Sequence, residues 1–340
     1  MKGFRFIDLF AGIGGFRIAM ESLGGECVFS SEWDKYAQIT YEINYGSKPY
    51  GDITKDEVKN KIPKNFDLLC AGFPCQAFSI AGKRGGFDDT RGTLFFEVAT
   101  IIKKHKPKAI FLENVKGLYN HDKGKTLKTI LNTLREDLGY FVPEPKIINS
   151  KFYGVPQNRE RIFIVGFRND LNIDEFQYPT NNKISSVVEE IIEKKEVSVK
   201  YYLSNQYLST LREHRKRHES KGNGFGYQIL DNDSVANAIV CGGMGKERNL
   251  IIDKRLSTFI PVTKIKGEVN KEGIRRLTPR ECARLQGFPE SFKIEVSDAQ
   301  AYKQFGNSVA IPAIKATGSK ILTKLVNALS TKNSEKRNKN

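Results

Sequence analysis

"FRFIDLFAGIGGFRIAMESLGGECVFSSE", residues 4–32, decides the fold class. A β-favouring run, "FRFIDLF", meets a glycine loop. Phe16, Ala19, Met20 and Leu23 then recur at helical spacing until Gly24 and Gly25 stop the helix. "ECVFSSE" favours β again. Strand, glycine turn, helix and strand open a parallel βαβ unit. The pattern continues downstream. "FDLLCAG" (66–72), "KAIFLEN" (108–114) and "RERIFIVGF" (159–167) read as buried strands. "RGTLFFEVATIIKKHKP" (91–107) reads as a helix stopped by Pro107, and "KTLKTILNTLREDLGY" (125–140) as one ended by Gly139. The expected fold is α/β, a mostly parallel sheet with helices on both faces.

The loop in "DLFAGIGGF" is not a dinucleotide fingerprint. Counted from Gly12 and Gly14, G-x-G-x-x-G needs glycine at position 17, where this chain has Arg17. That disfavours a pyrophosphate cradle and leaves a nucleoside possible. Glu32 ends the second strand where open α/β sheets place an acid for ribose hydroxyls. Trp33, the only tryptophan, follows it and offers a face for a purine. A tight structural turn explains the glycines almost as well. Together the signals point to an adenosyl-containing cofactor without a bound pyrophosphate.

Lys and Arg outnumber Asp and Glu by 55 to 39 in 340 residues, a formal charge of +16. Such a surface attracts polyanions, nucleic acid first among them; a basic but non-specific surface is the alternative. The cysteines, Cys27, Cys70, Cys75, Cys241 and Cys282, are odd in number and show no CxxC spacing, which argues against a disulfide framework or a zinc site. His214 and His218 in "REHRKRHE" have i, i+4 spacing but no third ligand in view, so a basic DNA-facing helix or solvated surface is preferred. No apolar run reaches membrane-spanning length and the N-terminus carries no signal-peptide pattern, so a cytoplasmic protein with no membrane partner is expected.

From about residue 180 the patterning turns glycine-rich, turn-rich and basic, and after about 275 it becomes helical again. The expected organisation is a first domain over 1–180 completed by 300–330, a smaller module over 181–275, a hinge region over 276–299 and a disordered tail over 331–340.

"GFPCQAFSIAGKRGG", residues 72–86, places Cys75 at the carboxyl edge of a strand, where open sheets bind ligands. Cys75 can be a structural thiol, a metal ligand or a nucleophile. Glu113, in "FLENV" (111–115), ends the next strand at the same edge. A thiolate and an acid so placed suit cytosine chemistry. Carbon 5 of cytosine becomes nucleophilic once a thiolate adds at carbon 6, and an acid at the N3 and N4 edge stabilises that adduct.

At this point the sequence strongly resembles the cytosine-C5 DNA methyltransferases of bacterial restriction-modification systems, from about residue 4 to 325. The resemblance rests on an ordered set: "DLFAGIGGF", "EWDKYA", "GDI", "GFPCQAFS", "ENV", "QNRERIF", "RRLTPRECARLQGFP" and "GNSV". It implies the S-adenosylmethionine-dependent, Rossmann-like methyltransferase fold, S-adenosylmethionine as cofactor with S-adenosylhomocysteine as product, and a flipped cytosine in double-stranded DNA as substrate. It implies cofactor contacts from Phe10, Gly12, Gly14, Glu32, Trp33, Asp52, Ile53, Pro74, Asn307 and Ser308. Cys75 becomes the nucleophile and Glu113 the acid. Arg161 reaches the cytosine O2, while Arg159 and Gln157 support the site and a nearby phosphate. Asn114 and Pro74 orient the strand ends, and Ser79 meets a phosphate beside the flipped nucleotide. Ala81 departs from the serine of some members, which puts one hydrogen bond near the base gap in doubt. The remaining cysteines read as structural.

"KGNGFGYQILDNDSVANAIVCGGMGKERNL", residues 221–250, is the expected target-recognition region. Lys221, Lys246, Arg248 and Arg255 are candidates for base or phosphate contact. Phe225 or Tyr227 either fills the gap left by the flipped base or packs the module's core. A monomer is expected, paired in function with a restriction endonuclease it does not touch. Two alternatives stand beside this reading: the tRNA-methylating branch of the family, and a non-catalytic DNA-binding regulator on the same fold.

Overall fold

The structure, a computed structural model, describes residues 3–74, 94–181, 183–222, 226–241, 247–261 and 267–337. In chain order its first elements are β1 (Arg5–Leu9), α1 (Gly15–Glu21), β2 (Glu26–Ser31), α2 (Lys35–Tyr45), α3 (Asp56–Lys59), β3 (Leu68–Gly72), α4 (Leu94–His105), β4 (Ala109–Val115), α5 (Lys125–Asn132), β5 (Tyr140–Phe141) and β6 (Lys146–Asn149). There follow β7 (Gln157–Asn158), β8 (Glu160–Arg168), α6 (Asn205–Glu219), β9 (Gln228–Leu230), β10 (Ala236–Asn237), β11 (Asn249–Ile252), β12 (Ile274–Arg276), α7 (Pro279–Leu285), α8 (Asp298–Asn307) and α9 (Ile311–Arg337). The chain divides into two compact units. One comprises Met1–Asn149, Glu160–Asn181 and Ile311–Asn340; the other comprises Ser150–Arg159 and Asn182–Ala310.

The first unit is built on a sheet of order β2-β1-β3-β4-β8-β5, with β6 also on β8. β2, β1, β3 and β4 pair in parallel. β8 runs antiparallel to β4, and β5 and β6 run antiparallel to β8 along its other edge, so β8 alone is reversed. β5 and β6 act as one edge strand broken over 142–145, where Pro143 and Pro145 have no N–H to donate. Ile7 and Leu9 of β1 join Leu69, Leu112 and, from α4, Phe95, Val98 and Ile102 in one core. On the opposite face Phe16 of α1 meets Phe111 of β4 edge-on. There α1 packs on α9 closely enough that a Cβ at Gly318 would fall 2.4 Å from the Met20 methyl. Helices thus cover both faces, and α9 belongs to this unit. α9 also continues to Arg337, through part of the span read as a disordered tail. Within that span Lys332 pairs with Asp170, and ahead of it Lys324 pairs with Glu175.

The second unit is irregular. β11 pairs in parallel with β9 and antiparallel with β12, and two-residue β7 and β10 pair with each other. Leu208 and Leu211 of α6 pack with Leu203, Leu250 and Ile274. Packing draws this unit wider than 181–275: it takes in Ser150–Arg159 and runs to Ala310. The reason is polar. Arg275 pairs with Glu281 at 2.7 Å, and Gln157 donates to the Leu285 carbonyl at 2.8 Å. Among the described residues no helix is long and apolar enough to cross a membrane.

Candidate active site

The loop after β1 is left-handed at Phe10 (φ 56°), Gly12 (φ 56°) and Gly14 (φ 85°). Gly14 is required by packing, since a Cβ there would lie 2.3 Å from the Tyr45 hydroxyl, which itself donates to the carbonyls of Ile13 and Gly14. Gly12 is different. A Cβ there would meet nothing within 4 Å, so its outer face is open. Its N–H donates to Glu32 Oε2 at 2.8 Å, while Glu32 Oε1 accepts from the Asp34 N–H at 2.7 Å. Burial pushes the Glu32 carboxyl up, and these backbone donors act against it. Beside it the Trp33 side chain is 76% exposed. Asp52 accepts from the Thr54 N–H at 2.9 Å through one oxygen. Ile53 lies in the core, and Phe10 packs against it. An acid tied to an open glycine, an exposed indole and a second carboxylate form a donor set that fits an adenosine: ribose diol, purine face and exocyclic amine.

At the ends of the central strands, Glu113 of β4 pairs in register with Gly72 of β3. Its carboxylate is largely buried and lies 3.2 Å from Arg161 Nε of β8. Arg161 also donates to the Glu160 carbonyl at 2.8 Å. Asn114, buried, donates through Nδ2 to the Phe73 carbonyl at 2.9 Å and accepts from the Val115 N–H at 2.8 Å. It thereby fixes the backbone that leads into exposed Pro74 and on to Cys75.

The model of the C-5 cytosine-specific DNA methylases matches residues 4–323. The chain belongs to that family. It is a DNA (cytosine-5-)-methyltransferase, and S-adenosylmethionine is its methyl donor. The chain is 70% identical over 324 residues to the Type II methyltransferase M.HpaII of Haemophilus parainfluenzae, covering 95% of this chain and 90% of the relative. It is 44% identical to the Type II methyltransferase M.HhaI of Haemophilus parahaemolyticus over 93% of each. Among solved structures, S. pombe Dnmt2 methyltransferase matches with a TM-score of 0.70 at 18% identity, over 95% of this chain and 99% of that one. Entamoeba histolytica methyltransferase EhMeth matches at 0.71 and 20%, over 96% and 99%. At those identities the two structures speak to the fold alone.

Within the methylase, the geometry separates residues that the motif order had grouped. Arg161 stands beside Glu113 in the first unit. Arg159 is 2% exposed in the second and donates to the carbonyls of Ile239, Gly306 and Ser308 at 2.9, 3.1 and 2.7 Å. Gln157, expected to support a phosphate contact, is fully buried. Its amide donates to Leu285 O and Gln286 Oε1 and accepts from the Ile239 N–H. Burial and these bonds engage both groups inside the unit. Asn307 is exposed at the end of α8 and Ser308 is buried, both in the second unit. Tyr227, partly buried, packs against the cluster of Leu208 and Leu250 with Arg215 over its ring. Lys221 and Arg248 are exposed, as a DNA contact needs. Arg255 is engaged by Asp253 and by the Glu193 carbonyl. Cys75, Ser79, Ala81, Phe225 and Lys246 lie outside the described residues. Burial pushes the Cys27 thiol up to about 12 and those of Cys70 and Cys282 upward too, as inert structural thiols require. Among the described residues no three His, Cys, Asp or Glu side chains gather as metal ligands.

Sequence reading passed over Asp8 and Gln286. Asp8 is fully buried on β1, and burial pushes its carboxyl up to about 8. The signal was one acid inside the apolar run "FRFIDLF". Gln286 carried no signal, because its partners, the Phe305 and Ser308 carbonyls and the Gln157 side chain, are not near it in sequence.

Proposed function

We propose that this methylase modifies a cytosine in a short duplex site through a covalent adduct at Cys75. The cofactor, when bound, supplies an electrophilic methyl group. Glu32 accepts the ribose hydroxyls, Trp33 stacks on the purine and Asp52 accepts its amino group; Asn307 and Ser308 are proposed as further cofactor contacts. The Cys75 thiolate bonds to carbon 6 of the extruded base, and the ring's electron pair shifts towards carbon 5. Glu113 holds a proton against the N3 and N4 edge, steadied by Arg161, which also reaches towards O2. After methylation the carbon 5 proton passes to water, its electron pair restores the carbon 5–carbon 6 double bond, and the thiolate leaves, giving 5-methylcytosine.

The observation that carries this reading is the Glu113–Arg161 pair on β4 and β8, next to the Asn114 hydrogen bond that anchors the chain entering Cys75. Duplex carrying 5-fluorocytosine at the target tests it. Fluorine cannot leave as a proton does, so the thioether persists on denaturing gels with S-adenosylmethionine present. Cys75→Ala removes the adduct. Peptide mapping to Cys70 or Cys241 instead would overturn the assignment.

The similarity to proteins named Type II methyltransferases supports a role in protecting DNA from a restriction endonuclease. The enzyme acts as a cytoplasmic monomer that pairs with the nuclease in function and makes no contact with it. Bisulfite sequencing of DNA from expressing cells finds the site, and a cell extract that cuts only unmethylated copies of it finds the nuclease. The +16 charge further supports duplex affinity that falls steeply with salt as phosphate counterions are released.

A further inference from the structure

Two exposed segments of the second unit are held from beneath by one buried group. Val240 and Cys241 are exposed and lead into the glycine run of the recognition region. Asn307 is exposed between Gly306 and Ser308. Under both lies Arg159. Its Nη1 donates to the Ile239 carbonyl, immediately before the first segment. Its Nη2 donates to the carbonyls of Gly306 and Ser308, on either side of Asn307. Gln157 repeats the link by accepting from the Ile239 N–H and donating to Gln286, whose own amide donates to the carbonyls of Phe305 and Ser308. The two backbones also touch: a Cβ at Gly306 would fall 2.7 Å from Cys241 N and from the Val240 carbonyl carbon.

We propose that Arg159, backed by Gln157 and Gln286, is a positioning residue that locks the Val240–Cys241 segment and Asn307 into one frame, so that binding of cofactor and binding of DNA reinforce each other. The proposal rests on the reading of Asn307 and Ser308 as cofactor contacts and of residues 221–250 as the DNA reader. A guanidinium suits the task because its rigid fork sends parallel donors to separate carbonyls; a lysine ammonium is a single compact charge and cannot hold both segments in fixed register. An arginine acting on the reacting base would need to be exposed, and this one is not.

The test is the coupling between two ligands. S-adenosylhomocysteine affinity is measured by calorimetry with and without a duplex carrying the site found by bisulfite sequencing. In the native enzyme the duplex is expected to tighten it by about fivefold or more. In Arg159→Lys that enhancement should fall close to unity, with the KM for both substrates raised and kcat changed less. Unchanged coupling in the variant, or a loss confined to kcat, overturns the proposal. Should Arg159→Lys not fold, hydrogen exchange on the native enzyme decides. S-adenosylhomocysteine alone should slow exchange in a peptide over 236–241 as well as one over 304–309, and protection of the second without the first overturns the proposal. Native enzyme that fails to bind S-adenosylhomocysteine at all defeats the underlying cofactor reading instead.

Discussion

Two buried carboxylates, one in each unit, are handled in opposite ways. Asp8 sits on β1 in the interior of the first unit, and neither oxygen has a hydrogen-bond partner among the described residues. Desolvation raises its carboxyl to about 8, with Arg17 acting against that. It is therefore neutral near pH 7. Asp253 in the second unit is also desolvated, yet Arg255 and Arg275 donate to it at 2.7 and 2.8 Å and hold it well below the usual range. Arg275, itself fully buried, continues to both oxygens of Glu281, which accepts from the N–H groups of Thr278 and Glu193. The difference follows from how each unit makes its interior. A long sheet buries apolar side chains on both faces, and an acid in its interior with no cation paired to it stays neutral. Among the described residues the second unit has only short strands and small apolar clusters, so charged hubs fix its loops.

The largest expected effect separates the two carboxylates by pH. Unfolded Asp8 ionises near 3.8 and folded Asp8 near 8. Between these values the folded state holds the extra proton, so its stability falls as pH rises, by up to about 1.4 kcal/mol per pH unit. Asp8→Asn removes that slope, and its advantage over the native enzyme should grow from pH 4 to pH 8 by about 5 kcal/mol in urea unfolding. A constant difference would mean that Asp8 is already ionised and that the contrast is absent. Asp253 has the opposite sign: its contribution is full above the ordinary aspartate range and is lost only in strong acid.

Arg275→Met comes next. It strands the Glu281 and Asp253 charges in a dry site and should cost about 3–5 kcal/mol. Hydrogen exchange should rise over Asn249–Ile252 and Ile274–Arg276 and change little in β1, β3 and β4. Equal loosening of the first unit would show that the polar hub supports the whole chain. Glu113 stands between the extremes, largely buried and paired with Arg161. Glu113→Gln should lower kcat by about a hundredfold, or about 2.7 kcal/mol in the barrier, with duplex affinity nearly unchanged in a filter-binding assay. A matching loss of duplex affinity would move Glu113 from chemistry to recognition. The smallest effect belongs to Asp34, a partly exposed acid that caps α2 by accepting from the N–H groups of Tyr36 and Ala37 at 3.0 Å. Asp34→Ala should cost about 1 kcal/mol, read as a small fall in the thermal midpoint.

The sequence by itself determined the sheet, its helices and the order of the motifs. Periodicity, glycine turns and stops such as Pro107 are local, and each is written in a few consecutive residues. It also brought Glu113 and the approach to Cys75 to one sheet edge, because parallel strands of similar length end together. Tertiary structure alone decided the rest. β8 is reversed, which no residue in "RERIFIVGF" announces. Arg159 and Arg161, two positions apart in "QNRERIF", go to different units, because the chain leaves one packed body for the other between Arg159 and Glu160. Gln157 and Gln286 become buried brackets only because carbonyls more than a hundred residues from Gln157 fold around them. A polar side chain in sequence carries no mark of whether water or a distant carbonyl will satisfy it, and that choice is made by packing.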